Sequence, residues 1–148
     1  MQRQYRHFGR ALTCFGLLSS LVTLSTANTF VVTNTANGGV GSLRQAMLDA
    51  NASAGPDTID LTGVSGAILI SSALPFLAGD LTVLGPGRDT LAIDGGGTTS
   101  AFAGNVAKLT LRGLEVRNVT GQAGPGIQTY GSLEITDCRF INCIATST

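Results

Sequence analysis

The apolar residues near the carboxyl end of this chain recur at a fixed interval of 24 residues. Residues 109–119 align with residues 133–143, and Asn118 falls on Asn142. The apolar positions that coincide are Leu109, Leu111, Leu114, Val116 and Val119 with Leu133, Ile135, Cys138, Phe140 and Cys143. A period of this length, carried by apolar positions while the polar ones differ, is typical of a stacked solenoid. The interval predicts that side chains one period apart lie above one another around a dry interior.

The amino end has the layout of a secretory signal peptide. Three arginines in the first ten residues precede the apolar stretch 11–24, and the small residues 25–27 follow it. This order predicts cleavage after Ala27, so that 1–27 is a signal peptide and 28–148 is exported. The apolar stretch is shorter than the roughly 20 residues of a membrane-spanning helix, which disfavours an anchor.

Charge and histidine content exclude several classes of function. The full chain has nine basic and nine acidic residues, and loss of the three amino-terminal arginines leaves six against nine. A weakly acidic chain without a basic cluster gives no electrostatic reason to bind nucleic acid. The only histidine, His7, also lies in the signal peptide. The mature chain therefore has no Ser-His-Asp or Cys-His mechanism and no imidazole metal ligand.

Residues 28–58 are predicted to form an amino-terminal cap of one strand and one helix. The β-branched segment 29–33 predicts the strand. Ser42 and Gln45 have the spacing of a capping box, and the apolar residues that follow have helical spacing, so we expect a helix over 42–51. These apolar residues are Leu43, Ala46, Met47 and Ala50. Such a helix would cover the open end of the stack.

Residues 59–148 are predicted to form the rungs of the solenoid, a rung being one turn of the coil. Apolar pairs spaced by two indicate short strands with one inward face. The pairs are Ile59 and Leu61, Ile68 and Ile70, Leu81 and Val83, and Leu91 and Ile93. Glycine-rich segments at 85–87 and 94–97 mark corners, and Phe102 and Ile127 start successive turns. We expect each strand to pair in parallel with its equivalents above and below.

The carboxyl end lacks the signs of a cap. Only 145–148 follow the second clear repeat. A solenoid that stopped there would expose an apolar interior and unpaired strand edges. We therefore expect the remaining rungs of a longer chain to complete it, and we expect this fragment to be marginally stable or prone to aggregation on its own.

Several segments together resemble a known family. They are Thr29–Asn34, Gly41–Asn51, Gly55–Ile59, Gly85–Gly87, Ile93–Gly97 and Gly124–Phe140. The chain is similar to bacterial secreted right-handed parallel β-helix proteins that begin with a CSLREAI-type motif, and to polymorphic outer-membrane proteins and autotransporter-like passengers. Gly41 occupies the place of the cysteine in that motif. The resemblance implies an all-β, right-handed, single-stranded parallel β-helix of the pectin-lyase-like type with one short amino-terminal capping helix.

Each polar feature has a functional and a structural interpretation. Asp94 is a candidate ligand or catalytic acid, but an aspartate that bonds its own backbone at a tight corner is favoured. Asn118 and Asn142 are candidate sugar-binding residues, but a stacked asparagine ladder is favoured. Glu115 lies under Arg139, which predicts an exposed ion pair between rungs.

The two cysteines of the mature chain, Cys138 and Cys143, are candidates for a disulfide in an oxidising compartment. They align with the apolar Leu114 and Val119, however, so buried thiols on different inward faces are favoured. Two cysteines without histidine do not complete a zinc site.

Two classes of function remain open. One is a secreted or cell-surface scaffold with a structural or adhesive role. The other is the amino-terminal part of a carbohydrate-active enzyme, because parallel β-helices also include pectate lyases and polygalacturonases. An enzyme of that kind needs clustered carboxylates. In the two clear rungs Glu134 overlies Thr110 and Asp137 overlies Gly113, so no acidic pair forms there, and Arg112 and Arg117 have no carboxylate cluster beside them.

The sequence therefore favours the scaffold. It assigns no catalytic, cofactor-binding or metal-ligating residue and no cofactor. The expected location is extracellular or on the outer-membrane surface, without a membrane span in the mature segment. The expected partners are a surface carbohydrate or a ligand on a host or neighbouring cell, with no nucleic acid.

Overall fold

A computed structural model describes residues 26–97, 100–121 and 124–146. The predicted signal peptide lies outside these residues except for its last two positions. The described residues form one helix, α1 (Leu43–Ala52), and twelve strands. The strands are β1 (Thr29–Val31), β2 (Asp57–Asp60), β3 (Gly66–Leu69), β4 (Leu77–Ala78), β5 (Leu81–Leu84), β6 (Leu91–Asp94), β7 (Phe102–Asn105), β8 (Lys108–Arg112), β9 (Glu115–Gly121), β10 (Ile127–Thr129), β11 (Ser132–Thr136) and β12 (Arg139–Ala145).

The strands form three parallel sheets, and the chain adds one strand to each sheet in turn. The first sheet has the order β1-β2-β5-β8-β11, the second β3-β6-β9-β12 and the third β4-β7-β10. Every pairing between neighbours is parallel. Successive strands of the chain thus lie in different sheets, and each strand stacks on its equivalent one turn away. The prediction of an all-β parallel β-helix with one short amino-terminal helix is confirmed.

The register predicted from the period is confirmed in the upper rungs. Leu109 pairs with Leu133 and Leu111 pairs with Ile135. Between β5 and β8 the spacing is longer, because residues 85–90 join β5 to β6, whereas only 113–114 join β8 to β9. In this longer loop Gly85 and Gly87 bond to the next rung, whereas residues 88–90 are exposed beside the second sheet.

Below the last rung, the apolar residues predicted to face inward form one continuous core. All eight members of the predicted pairs are buried: Ile59, Leu61, Ile68, Ile70, Leu81, Val83, Leu91 and Ile93. Phe102 is fully buried and pairs with Ile127, as the sequence predicts. Alternation of the strand faces therefore separates the core from the outer surface on each rung.

Helix α1 covers one end of the stack. Its buried residues are those of the predicted apolar face, Leu43, Ala46, Met47 and Ala50. The helix begins after Ser42, whose Oγ accepts a hydrogen bond from the Gln45 N–H at 3.2 Å. A capping box also predicts that the Gln45 side chain bonds back to the Ser42 backbone N–H. That part of the prediction is wrong, because the Gln45 side chain donates to Asp49 Oδ1 at 2.8 Å.

Side chains of α1 attach the helix to the first full rung. Asn51 Nδ2 donates to the Phe76 carbonyl at 2.8 Å, and Asn51 Oδ1 accepts from the Ala78 N–H at 2.9 Å. Arg44 donates to the carbonyls of Ala73 and Ser72 at 2.6 and 2.8 Å. These bonds satisfy polar backbone groups at the end of the stack, where no further strand pairs.

The segment before α1 contains a strand where the sequence predicts one. Strand β1 is the outermost member of the first sheet and pairs with β2. Gly41 has a φ of 74°, and a Cβ there would lie 2.2 Å from Thr33 Oγ1. Any side chain at this position would strain the backbone and displace Thr33, which accounts for the glycine.

Candidate functional site

An open groove of about 520 Å³ lies on the outer face of the second sheet. Register places Ala67, Ala92, Glu115 and Arg139 in one column across four rungs. The two alanines therefore form the bottom of the groove at the lower rungs, and the long charged side chains lie along it at the upper rungs. The exposed residues of the loop 85–90, namely Arg88, Asp89 and Thr90, form a wall of the groove.

The charged side chains of the groove bind one another. Arg117 donates from Nε to Asp94 Oδ2 at 2.7 Å and from Nη1 to Glu115 Oε1 at 3.2 Å. Arg139 donates from Nη1 to Glu115 Oε2 at 3.1 Å and also pairs with Asp89. The network links the β5–β6 loop and three successive strands of the second sheet.

Glu115 lies at the centre of this network. The predicted pair with Arg139 is confirmed, but its predicted exposure is wrong, because the Glu115 side chain is only 8% exposed. Each of its carboxylate oxygens accepts from a different arginine. The side chains of Arg117 and Arg139 cover the carboxylate, so the charge is compensated where water is largely excluded.

Asp94 ends strand β6 at the predicted corner. Its Oδ1 accepts from the Gly96 N–H at 3.0 Å, which confirms the interpretation as a turn-forming aspartate. Partial burial acts to raise the pKa of Asp94, but hydrogen bonds from Arg117, Gly96 and Asn118 outweigh it, and the pKa lies below its usual value. Asp94 is therefore held as a carboxylate in contact with Arg117.

The predicted asparagine ladder is confirmed. Asn118 Nδ2 donates to Asp94 Oδ1 at 3.1 Å, and Asn142 Nδ2 donates to Asn118 Oδ1 at 3.2 Å. Asn118 and Asn142 both have a φ of 51°, a left-handed conformation that asparagine tolerates better than most residues. The ladder extends one rung further down than the sequence indicates, because Asp94 begins it.

Cys138 and Cys143 are free thiols. Both pack against the core, which confirms the inward orientation predicted for them. They are half-buried, because no strand pairs above their rung in the part of the chain that the structure describes. Burial raises the pKa of Cys143, so this thiol is protonated at neutral pH.

Sequence reasoning missed the contact between Arg117 and two carboxylates. Asp94 and Arg117 are 23 residues apart, so a strict period of 24 does not align them. Glu134 does overlie Thr110, as predicted, and it binds Lys108 and Arg112 on the exposed face of the first sheet. The signal that could have found the groove is the length of the loop 85–90, which shifts the register of the rungs it joins.

Within residues 26–97, 100–121 and 124–146, no three histidine, cysteine, aspartate or glutamate residues lie close enough together to hold a metal ion. None of the helices in these residues is long and apolar enough to cross a membrane.

No family model, no curated protein and no solved structure matches this chain. The fold class therefore rests on the strand order and register of the chain itself.

Proposed function

We propose that the chain is part of a secreted or cell-surface β-helix scaffold with a structural or adhesive role and without catalysis in this segment. The observation that carries the proposal is the pairing of the groove's charged side chains with one another. Asp94 and Glu115 are bridged by Arg117, and Arg139 completes the shell around Glu115. Side chains that neutralise each other in this way hold rungs together.

The state of these carboxylates disfavours glycoside hydrolysis. A hydrolase needs one carboxyl group with a raised pKa to act as general acid. The pKa of Asp94 is shifted in the opposite direction, and both oxygens of Glu115 accept hydrogen bonds from arginine. Asp94 is therefore held as a carboxylate, and the arginine contacts of Glu115 occupy both of its oxygens.

The same contacts support a rigid spacer. Cross-rung hydrogen bonds of the ladder add side-chain links to the backbone pairing of three successive rungs. A stiff coil presents its loops and outer faces at fixed positions, which suits attachment to a surface carbohydrate or to a ligand on a host or neighbouring cell. The resemblance to bacterial surface proteins supports the same role.

A depolymerisation assay tests the absence of catalysis. The full chain is incubated with a panel of acidic polysaccharides, and the release of new chain ends is measured. We expect no release above the level without protein. Depolymerisation that disappears in both Asp94→Asn and Glu115→Gln, but persists in Asp49→Asn on the exposed side of α1, would establish an enzyme and overturn the scaffold.

Export is tested by expression in a secreting bacterium. The full chain and a chain that begins at Asn28 after an initiator methionine are compared. We expect the full chain outside the cytoplasm with Asn28 as its first residue, and the shortened chain inside. Retention of both chains in the cytoplasm would contradict the proposed location.

A further inference from the structure

One end of the coil presents an apolar face. Leu133, Ile135 and Phe140 are 42%, 44% and 38% exposed. Their register partners one rung below are each at most 1% exposed: Leu109, Leu111 and Val116. With Pro125, Ile127 and Cys143 they line an apolar hollow of about 320 Å³, which we call the end face. The residues of the end face have the inward orientation of core residues, but no described residue forms a layer above them.

Strand edges at this end also present backbone groups that can form hydrogen bonds. Strands β10, β11 and β12 are each the outermost member of a sheet. Each therefore presents one side of its ladder without a neighbouring strand among the described residues. The opposite end differs, because α1 covers the core there with Leu43 and Met47 fully buried.

The asparagine ladder gives the end face a register. Each upper residue donates from Nδ2 to the side-chain oxygen below it, from Asn118 to Asp94 and from Asn142 to Asn118. Asn142 Oδ1 is the next acceptor in this series. A strand added above β12 would continue the ladder only if it placed a donor such as asparagine directly over Asn142.

We propose that the end face binds one further parallel coil of polypeptide. The bound segment runs parallel to β11 and β12, has apolar residues over Leu133, Ile135 and Phe140, and has asparagine over Asn142. Such a segment repeats the interface that β11 and β12 already make with β8 and β9. The inference rests on the proposed scaffold function and names a partner for it.

A second copy of the chain fits this end less well. In a symmetric dimer the two end faces would meet across a two-fold axis perpendicular to the coil axis. If this axis passed through the first sheet, the second sheet of one copy would meet the third sheet of the other. These sheets end in β12, with seven residues, and β10, with three. Stacking in the same direction would bring the end face against α1 of the next copy, where Arg44 and Asn51 already bond to backbone groups of the end rung.

A peptide of residues 108–121 is a suitable probe. It contains the coil that already pairs with β11 and β12, it has no cysteine, and it carries Asn118 at the ladder position. The labelled peptide is titrated with the full chain, and binding is measured by fluorescence anisotropy. We expect saturable binding, at least tenfold weaker binding of a peptide with the same residues in reverse order, and weaker binding of the peptide with Asn118→Ala.

Two protein variants locate the binding. Ile135→Lys places a charge in the end face, whereas Leu48→Lys changes an apolar residue of α1 with similar exposure, 48% against 44%. We expect at least a tenfold loss of binding for Ile135→Lys and none for Leu48→Lys, with unchanged circular dichroism for both.

Absence of binding, equal binding of the forward and reverse peptides, or equal losses in the two variants would overturn the proposal. A dimer of the full chain that excludes the peptide would also overturn it, in favour of a second copy. None of these outcomes bears on export or on polysaccharide cleavage, so failure of the peptide to bind is distinguishable from failure of the proposed function.

Discussion

Asn142 donates a hydrogen bond from Nδ2 to Oδ1 of Asn118, one rung below it, over 3.2 Å. Both residues have the same left-handed backbone conformation, with a φ of 51°. The side chains therefore repeat in position and in orientation from rung to rung. Below them, Asp94 accepts the last bond of the series and joins the ladder to the charged groove.

The ladder predicts an order of stability among variants of Asn118. Asn118→Ala loses two side-chain hydrogen bonds and places alanine in a left-handed conformation, at a combined cost of about 2–3 kcal/mol. Asn118→Gly loses the same bonds, but glycine adopts the left-handed conformation without strain, so we expect a smaller loss of unfolding free energy. The free energy of unfolding in urea measures both. A glycine variant less stable than the alanine variant would show that the backbone conformation is not the one described.

The groove network predicts different effects for two arginines. Arg117→Ala removes a bridge between Asp94 and the buried Glu115, at a cost of about 1–3 kcal/mol, reduced by the partial exposure of Arg117. Arg112 also binds a glutamate, Glu134, but both side chains are exposed. We expect Arg112→Ala to leave the urea midpoint nearly unchanged, and equal midpoints for the two variants would contradict the network.

The corner between the first and second sheets predicts a steric effect. A Cβ on Gly85 would lie 2.2 Å from the Gly113 carbonyl oxygen of the next rung, whereas a Cβ on Gly63 would meet nothing within 4 Å. Gly85→Ala must separate the two rungs, and we expect a loss of at least about 1–3 kcal/mol. Thermal unfolding should show a lower midpoint for Gly85→Ala alone. A Gly63→Ala midpoint that falls as far would argue against the stacking of these corners.

The lowered pKa of Asp94 predicts a pH dependence. The unfolded chain binds a proton at this carboxyl group more readily than the folded one, so stability rises with pH. The contribution is fully present above the unfolded pKa of about 4 and is lost as the pH falls through the folded pKa. The difference in unfolding free energy between the wild type and Asp94→Asn should therefore shrink between about pH 5 and pH 2. A difference independent of pH would contradict the contacts of Asp94.

The core and the upper register could be predicted from the sequence because both depend on apolar periodicity. Leu109 over Leu133 and Leu111 over Ile135 follow from a period shared by two adjacent rungs. Alternation along each strand then determines which residues face inward. The helix face of α1 was predictable for the same reason.

The groove could not be predicted, because it depends on where spacing departs from the period. The interval from Asp94 to Arg117 is 23 residues and not 24, and Asp89 lies in the loop 85–90, 50 residues before Arg139, so the 24-residue period aligns neither pair. The burial of Glu115 depends on how two arginine side chains fold over it, which the sequence does not specify. The sequence pairs Gln45 with Ser42 through the capping box, and only the structure shows that the Gln45 side chain bonds to Asp49.

The central claim is that residues one turn apart in the chain lie directly above one another in parallel strands. Thr58 and Thr82 are register partners on the outer face of the first sheet, 24 residues apart. In a chain without other cysteines, Thr58→Cys with Thr82→Cys should form a disulfide rapidly under mild oxidation, because neighbouring strands lie about 4.8 Å apart. Thr58→Cys with Leu84→Cys, displaced by two residues along β5, should not. Equal cross-linking of the two pairs, or a preference for the displaced pair, would contradict the β-helix.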